Sequence, residues 1–262
     1  MEQIKELLNK VFGDSPAYLD ALEKNGFLDK NEAFALYEDD RPISVLFVKK
    51  YPLNLASRIG WADYIFYAAT SPDHRRRGLM SKLLSETLST LKKRGGDCAV
   101  LIPAEKSLFD FYSNCGFKTS FFVKQEEFLP DNNGKCIYVP SENESKKFYP
   151  RYFEKYGKRP NTVFKTEEIF RQSVSEHLFD KTSSAIVSDG EDIAFASFGD
   201  KIILREYTGN DVSSFSKAVA HKYQKPVVSV LPTDRADIPL GMVYWYNESK
   251  ENPFLYMDNM LN

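Results

Sequence analysis

The 262-residue chain is poor in cysteine, in histidine and in net charge of either sign. It has three cysteines and three histidines, and 35 Lys and Arg residues nearly balance 37 Asp and Glu residues. The cysteines show no metal-ligand spacing, so no metal site is predicted, and a sparse, odd set is typical of free thiols in a reducing cytosol. The near balance of charge argues against a nucleic-acid partner, because such partners need clustered positive charge.

Long hydrophobic runs are also missing from the sequence. No apolar run approaches the roughly 20 residues that cross a bilayer, and residues 1–6 lack the apolar core of a signal peptide. We therefore expect a soluble, cytoplasmic protein without a membrane partner. Hydrophobic residues are plentiful at 42% of the chain, which is enough for a packed core, and a chain of this length favours two domains.

The spacing of apolar residues predicts a mixed α/β domain with a mixed sheet in residues 1–130. Within it, residues 61–70 are a predicted strand and an amphipathic helix begins at Leu79. A stretch rich in Pro, Asn and Gly then marks a boundary. We predict a linker and helical segment at 131–181 and a second domain at 182–262.

The second domain repeats the order of elements in the first, which indicates an internal duplication. Its turn at 208–211 carries no cation, so we expect a degenerate copy that holds no pyrophosphate. The alternative is that this common string of elements arose without duplication. The repeated order consists of a hairpin, a strand, a helix and a short strand, at 184–197, 201–207, 211–223 and 227–231.

The most informative segment, residues 70–80, joins a predicted strand to a helix through a basic turn. The first N–H groups of a helix lack intrahelical partners and carry partial positive charge, so they attract phosphate. Arg75, Arg76 and Arg77 add full charges for phosphate oxygens, and Gly78 lets the backbone approach a ligand. The alternative, a solvated run of charge, is disfavoured because a helix N-terminus repels cations. The segment predicts a ligand that bears phosphate.

Two segments resemble signatures of the GNAT superfamily of N-acetyltransferases, and the resemblance covers about residues 1–128. Residues 75–80 resemble its coenzyme A loop, Gln/Arg-x-x-Gly-x-Gly/Ala, with Met80 in place of the small last residue. Residues 108–117 resemble its second signature, Tyr-x-x-x-Gly-Phe, through Tyr112. The Arg-Arg-Arg-Gly-Leu run is typical of the Eis-type branch, in which a degenerate GNAT-like domain follows the first. We expect such a tandem protein without the sterol-carrier-like third domain of that branch.

The resemblance implies an acyltransferase that moves acetyl from acetyl-CoA to a primary amine of a small molecule or peptide in a ternary complex, without a metal. It implies that Tyr112 donates a proton or hydrogen bond to the leaving thiolate; the alternative is a core aromatic. The residues implied in cofactor binding are Ala68, Ala69, Thr70, Arg75, Arg76, Arg77, Gly78, Leu79 and Met80.

The general base, the acceptor and the oligomeric state are not fixed by the sequence. Asp63 lies early on the strand before the arginine turn, but strand alternation turns it away from the matching position near Tyr64. A water chain or a base from the second domain is an equal alternative. The alternative function is a non-catalytic, CoA-binding or structural tandem GNAT-like protein.

Overall fold

A computed structural model describes residues 1–131, 136–235, 237–247 and 255–257. These residues form two compact units. The first unit comprises Met1–Pro52, Gly60–Ser120 and, near the C-terminus, 240–247. The remaining described residues form the second unit. None of the helices in the described ranges is both long and apolar enough to cross a membrane.

The first unit packs helices against a mixed sheet in the order β1-β2-β3-β4-β11. Strands β1 and β2 are antiparallel, β3 and β4 are parallel, and β4 and β11 are antiparallel. Its elements are α1 (Glu2–Phe12), α2 (Pro16–Lys24), a 3₁₀ turn (Lys30–Glu32), β1 (Ala33–Glu38), β2 (Arg41–Asn54), β3 (Ile59–Thr70), a 3₁₀ turn (Pro72–His74), α3 (Leu79–Lys93), β4 (Cys98–Leu101), α4 (Ser107–Asn114) and β11 (Ile238–Trp245).

Local sequence accounts for where the first helices begin and end. Helix α1 ends at Gly13, whose φ of 79° is the left-handed conformation that glycine adopts most easily. Helix α2 begins after Ser15, whose side chain accepts a hydrogen bond from the Tyr18 backbone N–H, with Pro16 in the first turn. Helix α3 buries one apolar stripe against the sheet. The core residues of this stripe are Leu83, Leu84, Leu88 and Leu91.

In the second unit the strands lie in the order β5-β10-β9-β8-β7. Strands β9 and β10 are parallel, and the other neighbours in this order are antiparallel. Its elements are β5 (Lys118–Phe128), α5 (Glu142–Ser145), a 3₁₀ turn (Lys146–Phe148), α6 (Tyr149–Tyr152), a π turn (Phe153–Gly157), β6 (Thr162–Val163), α7 (Glu167–His177), β7 (Ser184–Ser188), β8 (Ile193–Phe198), β9 (Ile202–Arg205), α8 (Val212–Tyr223), β10 (Val227–Thr233) and β12 (Tyr256–Met257).

The mixed α/β class with a mixed sheet, predicted from the sequence, is confirmed. The domain boundaries at 130 and 181 stay a prediction. Residues 240–247, inside the predicted second domain, belong to the first unit, where β11 pairs with β4 from Met242↔Leu101 to Trp245↔Cys98. This pairing joins residues that are far apart along the chain, which short-range sequence patterns do not report.

The two units share a backbone feature that supports the predicted duplication. In each unit an antiparallel hairpin is followed by a strand, a helix and a strand parallel to the previous one. In the first unit, Tyr67 in β3 has a φ of 48°. In the second, Glu206 directly after β9 has a φ of 51°. Left-handed conformations are uncommon outside glycine, so their occurrence in β3 and just after the matching strand β9 is informative.

Candidate active site

The pairing of β3 with β4 ends partway along β3. Their parallel pairing runs from Ala62↔Cys98 to Tyr64↔Val100, whereas β3 continues to Thr70. The left-handed Tyr67 distorts the part of β3 that lies beyond this pairing. Strained backbone of this kind is concentrated at functional sites. The predicted residues Ala68, Ala69 and Thr70 follow directly and are buried or half-buried.

The arginine turn connects this end of β3 to α3. Arg75, Arg76, Arg77 and Gly78 are exposed, and Arg76 and Gly78 have left-handed φ values of 61° and 71°. Gly78 is the residue before α3 and provides no side-chain cap. The N–H groups in the first turn of the helix therefore have no capping side chain as a partner. Together, these features leave a helix N-terminus beside exposed guanidinium groups, which favours an anion.

Hydrogen bonds from neighbouring elements hold the turn in place. Glu38 at the end of β1 lies 2.9 Å from His74 Nε2 and 3.4 Å from Arg77 Nη2. The bond from His74, followed by that from Arg77, holds the pKa of the Glu38 carboxyl below its usual value. The Arg75 Nε donates to the Thr70 backbone O at 3.3 Å. The turn is therefore partly ordered by the protein itself.

The last two residues of the predicted cofactor-binding segment are partly covered by the rest of the protein. Leu79 and Met80 are both half-buried, and Met80 packs against the core of the first unit. The long side chain that departs from the family pattern is thus accommodated in the core. The approach to the backbone at Gly78 stays open, since no atom lies within 4 Å of the place where a Cβ would be.

Tyr112 on α4 lies in the core of the first unit and also close to the end of the β3–β4 pairing. It is 7% exposed and packs between Phe111 and Phe117, with ring centroids at 5.1 and 5.9 Å. Burial raises the pKa of Tyr112 to about 12. Burial also raises the pKa of Tyr64, and the electrostatic effect of Tyr112 raises it further. The two phenols are therefore near each other. Tyr64 is the last β3 residue in the pairing with β4.

Asp63 is not brought together with the predicted site residues. Its side chain is buried and its Oδ2 accepts a hydrogen bond from the Tyr246 hydroxyl at 2.8 Å. Burial raises the pKa of Asp63, and the charged groups that act on it are Lys50, Arg94 and Asp97. These contacts assign Asp63 to the packing between β3 and the C-terminal part of the first unit.

Sequence reasoning missed a pair that the fold creates at the part of β3 beyond its pairing with β4. The Tyr67 hydroxyl donates to Asp14 Oδ2 at 2.6 Å, although the two residues are 53 positions apart. No local motif marks either residue, because the pairing depends on where the α1–α2 connection meets β3. Within the described ranges, no group of three or more His, Cys, Asp or Glu side chains has a metal-binding arrangement.

Residues 1–120 match the family model described as an acetyltransferase (GNAT) domain. No curated protein matches the chain.

Three solved structures illustrate the similarity of fold. A protein from Enterococcus faecalis V583, described as "Probable N-Acyltransferase", has 15% identity and a TM-score of 0.70, and the match covers 94% of this chain and 70% of that chain. Eis1 from Mycobacterium abscessus has 13% identity and a TM-score of 0.66, with 94% and 71% covered. A tandem GNAT protein from the clavulanic acid biosynthesis pathway has 9% identity and a TM-score of 0.51, with 95% of each chain covered.

At these identities the solved structures show a shared fold. The fold extends over nearly the whole chain and is the one found in Eis1 and in a tandem GNAT protein. The chain therefore has this fold, and its residues 1–120 match an acetyltransferase (GNAT) domain.

Proposed function

We propose that this chain is an N-acetyltransferase that moves an acetyl group from acetyl-CoA to a primary amine of a small molecule or peptide. The observation that carries the proposal is the exposed arginine turn at the uncapped N-terminus of α3, which follows β3 beyond its pairing with β4. Such a helix start favours phosphate. The family of residues 1–120 makes the pyrophosphate of CoA the natural candidate.

The turn supplies two kinds of donor to a pyrophosphate. The backbone N–H groups of residues 78–80 lie at the N-terminus of α3, where the helix dipole also favours negative charge. Arg75, Arg76 and Arg77 contribute guanidinium groups, whose planar forks match phosphate oxygens. Between Ala68 and Thr70, the backbone of β3 is proposed to bind the thioester, where an N–H group stabilises the oxyanion that develops on its carbonyl.

Tyr112 is proposed to stabilise the leaving thiolate. The neutral amine attacks the thioester carbon, a C–N bond forms, and the C–S bond then breaks. A thiol has a pKa near 8.5, about 3.5 units below the value of about 12 for Tyr112, so complete proton transfer to the thiolate is uphill by about 5 kcal/mol. A strong hydrogen bond from the phenol, with the proton delivered at the end from the amine, is therefore the favoured form of this step.

Isothermal titration with acetyl-CoA tests the phosphate assignment. Arg75→Ala combined with Arg77→Ala is expected to weaken binding at least about tenfold, because hydrogen bonds to charged groups contribute about 1.5–3 kcal/mol each. The matched control combines Arg151→Ala and Arg171→Ala, which remove the same charge from exposed positions in the second unit. Equal affinity in the double variant of the turn and in wild type would contradict the assignment.

An acceptor screen tests turnover itself. Wild-type protein with acetyl-CoA and a panel of primary amines is expected to release free CoA thiol with at least one acceptor. Binding of acetyl-CoA without thiol release across the panel would favour the alternative, a CoA-binding protein without catalysis.

A further inference from the structure

A carboxylate lies against the arginine turn where the backbone of the turn is least favourable. Glu38 Oε2 lies 2.9 Å from His74 Nε2, and Glu38 Oε1 lies 3.4 Å from Arg77 Nη2. Between these two partners along the chain, Arg76 has a left-handed φ of 61°. Such a conformation is uncommon for a residue with a side chain and persists only where surrounding contacts hold it. Glu38 supplies a contact on each side of it.

The hairpin of β1 and β2 holds Glu38 in place. Glu38 pairs with Arg41 at the end of the hairpin. The two residues between them, Asp39 and Asp40, have φ values of 48° and 59°. Positive φ at both central residues is typical of the tight two-residue turn that suits a twisted hairpin. The carboxylate therefore reaches the arginine turn from a short connection with a defined conformation.

Glu38 contacts Arg77 without using up its donors. The bonds from His74 and Arg77 hold the pKa of Glu38 below its usual value, so the side chain is an ionised carboxylate that only accepts hydrogen bonds. In the part of the chain that the structure describes, Arg77 gives Glu38 one of its five N–H donors, and its side chain is 52% exposed. The remaining donors can bind phosphate oxygens while the bond to Glu38 persists.

Glu38 has two opposite effects on an anion in the turn. Its negative charge repels phosphate, but its side chain is 48% exposed, and water and salt weaken the interaction between exposed charges. Its hydrogen bonds fix His74 and Arg77, and donors that are already in place lose less entropy when a ligand binds. Because these bonds are direct and the repulsion is screened, we expect the ordering effect to dominate.

We propose that Glu38 is a positioning residue for acetyl-CoA, whose carboxylate holds His74 and Arg77 in the arrangement that receives the pyrophosphate and so strengthens the binding of an anion. This inference rests on the proposed function. Glu38 acts through His74 and Arg77 and takes no part in acetyl transfer itself. A carboxylate that only balanced the charge of the turn would have the opposite effect, because its removal would strengthen anion binding.

Calorimetric titration of acetyl-CoA into variants of the full chain tests the inference. Glu38→Ala is expected to weaken binding at least fivefold. Glu38→Gln keeps an oxygen that accepts hydrogen bonds, so it should weaken binding only two- to threefold. Asp40→Asn is the matched control for charge, because it removes one negative charge from an exposed position on the same hairpin, and it should change the affinity less than twofold.

A double-mutant cycle with Arg77 separates positioning from a general effect on the fold. When Arg77→Ala is already present, Glu38→Ala has lost one of the two side chains that it positions, so it should weaken acetyl-CoA binding no more than twofold. Residues that act independently would instead give the same factor in both backgrounds.

Two results would overturn the inference: wild-type or tighter acetyl-CoA binding in Glu38→Ala, or an equal loss of affinity with and without Arg77. The same titrations separate the two proposals. If the wild type binds acetyl-CoA and Glu38→Ala binds it equally well, only this inference fails, whereas a wild type that binds no acetyl-CoA contradicts the proposed function.

Discussion

Burial of Tyr112 changes the pKa of its phenol in the direction that suits its proposed role as a hydrogen-bond donor to the leaving thiolate. Its phenol is 7% exposed between two phenylalanine rings, and burial raises its pKa to about 12. An alkylamine loses its proton near pH 10, so the phenol keeps its own proton over the whole range in which the acceptor becomes reactive. Tyr112 is thus available as a hydrogen-bond donor at every useful pH.

Replacement of Tyr112 by phenylalanine removes this donor and keeps the ring in the core. We expect acetylation of an accepted amine to slow at least tenfold, because a hydrogen bond to a charged group such as the thiolate contributes about 1.5–3 kcal/mol. Acetyl-CoA affinity should stay nearly intact. Tyr244→Phe is the matched control, because it removes a hydroxyl from a half-buried tyrosine on the same core. Unchanged turnover in Tyr112→Phe would remove this residue from the mechanism.

At the scale of the element, α3 has glycines just outside both of its ends that share one backbone conformation. Gly78 before the first turn has a φ of 71°, and Gly95 after the last turn has a φ of 80°. Neither has an atom within 4 Å of the place where a Cβ would be. A methyl group added at either position is therefore unfavourable because of the left-handed backbone conformation and not because of a steric clash. The two glycine-to-alanine substitutions should thus have similar effects on stability.

Gly78→Ala and Gly95→Ala separate stability from ligand binding. Each variant should lose about 1–2 kcal/mol of folding free energy, the cost of a left-handed residue with a Cβ, in chemical denaturation. Only Gly78→Ala should also weaken acetyl-CoA binding, because the turn relaxes away from the conformation that presents its N–H groups. Similar acetyl-CoA affinities in the two variants would contradict the placement of phosphate at the start of α3.

At the scale of the whole molecule, the second unit lacks the features that favour an anion in the first. Its turn between β9 and α8 has no arginine, and the Asp211 side chain caps α8 by accepting a hydrogen bond from the Ser214 N–H at 3.0 Å. The space near Gly209 is filled by Tyr207 and Asp192, which a Cβ would strike. A carboxylate thus occupies the helix start where the first unit leaves its N–H groups open.

One acetyl-CoA is therefore expected per chain. Calorimetric titration should give a stoichiometry of about one, because α8 is already capped by its own carboxylate. The double variant Arg75→Ala and Arg77→Ala should weaken this single binding event and reveal no other. A second binding event in either protein would contradict the interpretation of the second unit as a degenerate copy.

The sequence alone determined the chemistry of the turn. Arg75, Arg76, Arg77 and Gly78 are consecutive, and the charge and unpaired N–H groups at a helix start depend on a few neighbours along the chain. The order of strands and helices was also predictable, since apolar periodicity is a local property. The mixed α/β class follows from that order.

Contacts between distant parts of the chain were decided only by the tertiary structure. The end of β3–β4 pairing at Tyr64, the inward direction of Met80 and the bond from Tyr67 to Asp14 all depend on how separate elements pack. Asp63 shows the same limit, because the tyrosine that binds its carboxylate is 183 positions away. Packing selects such pairs by shape and burial, which no short segment of sequence encodes.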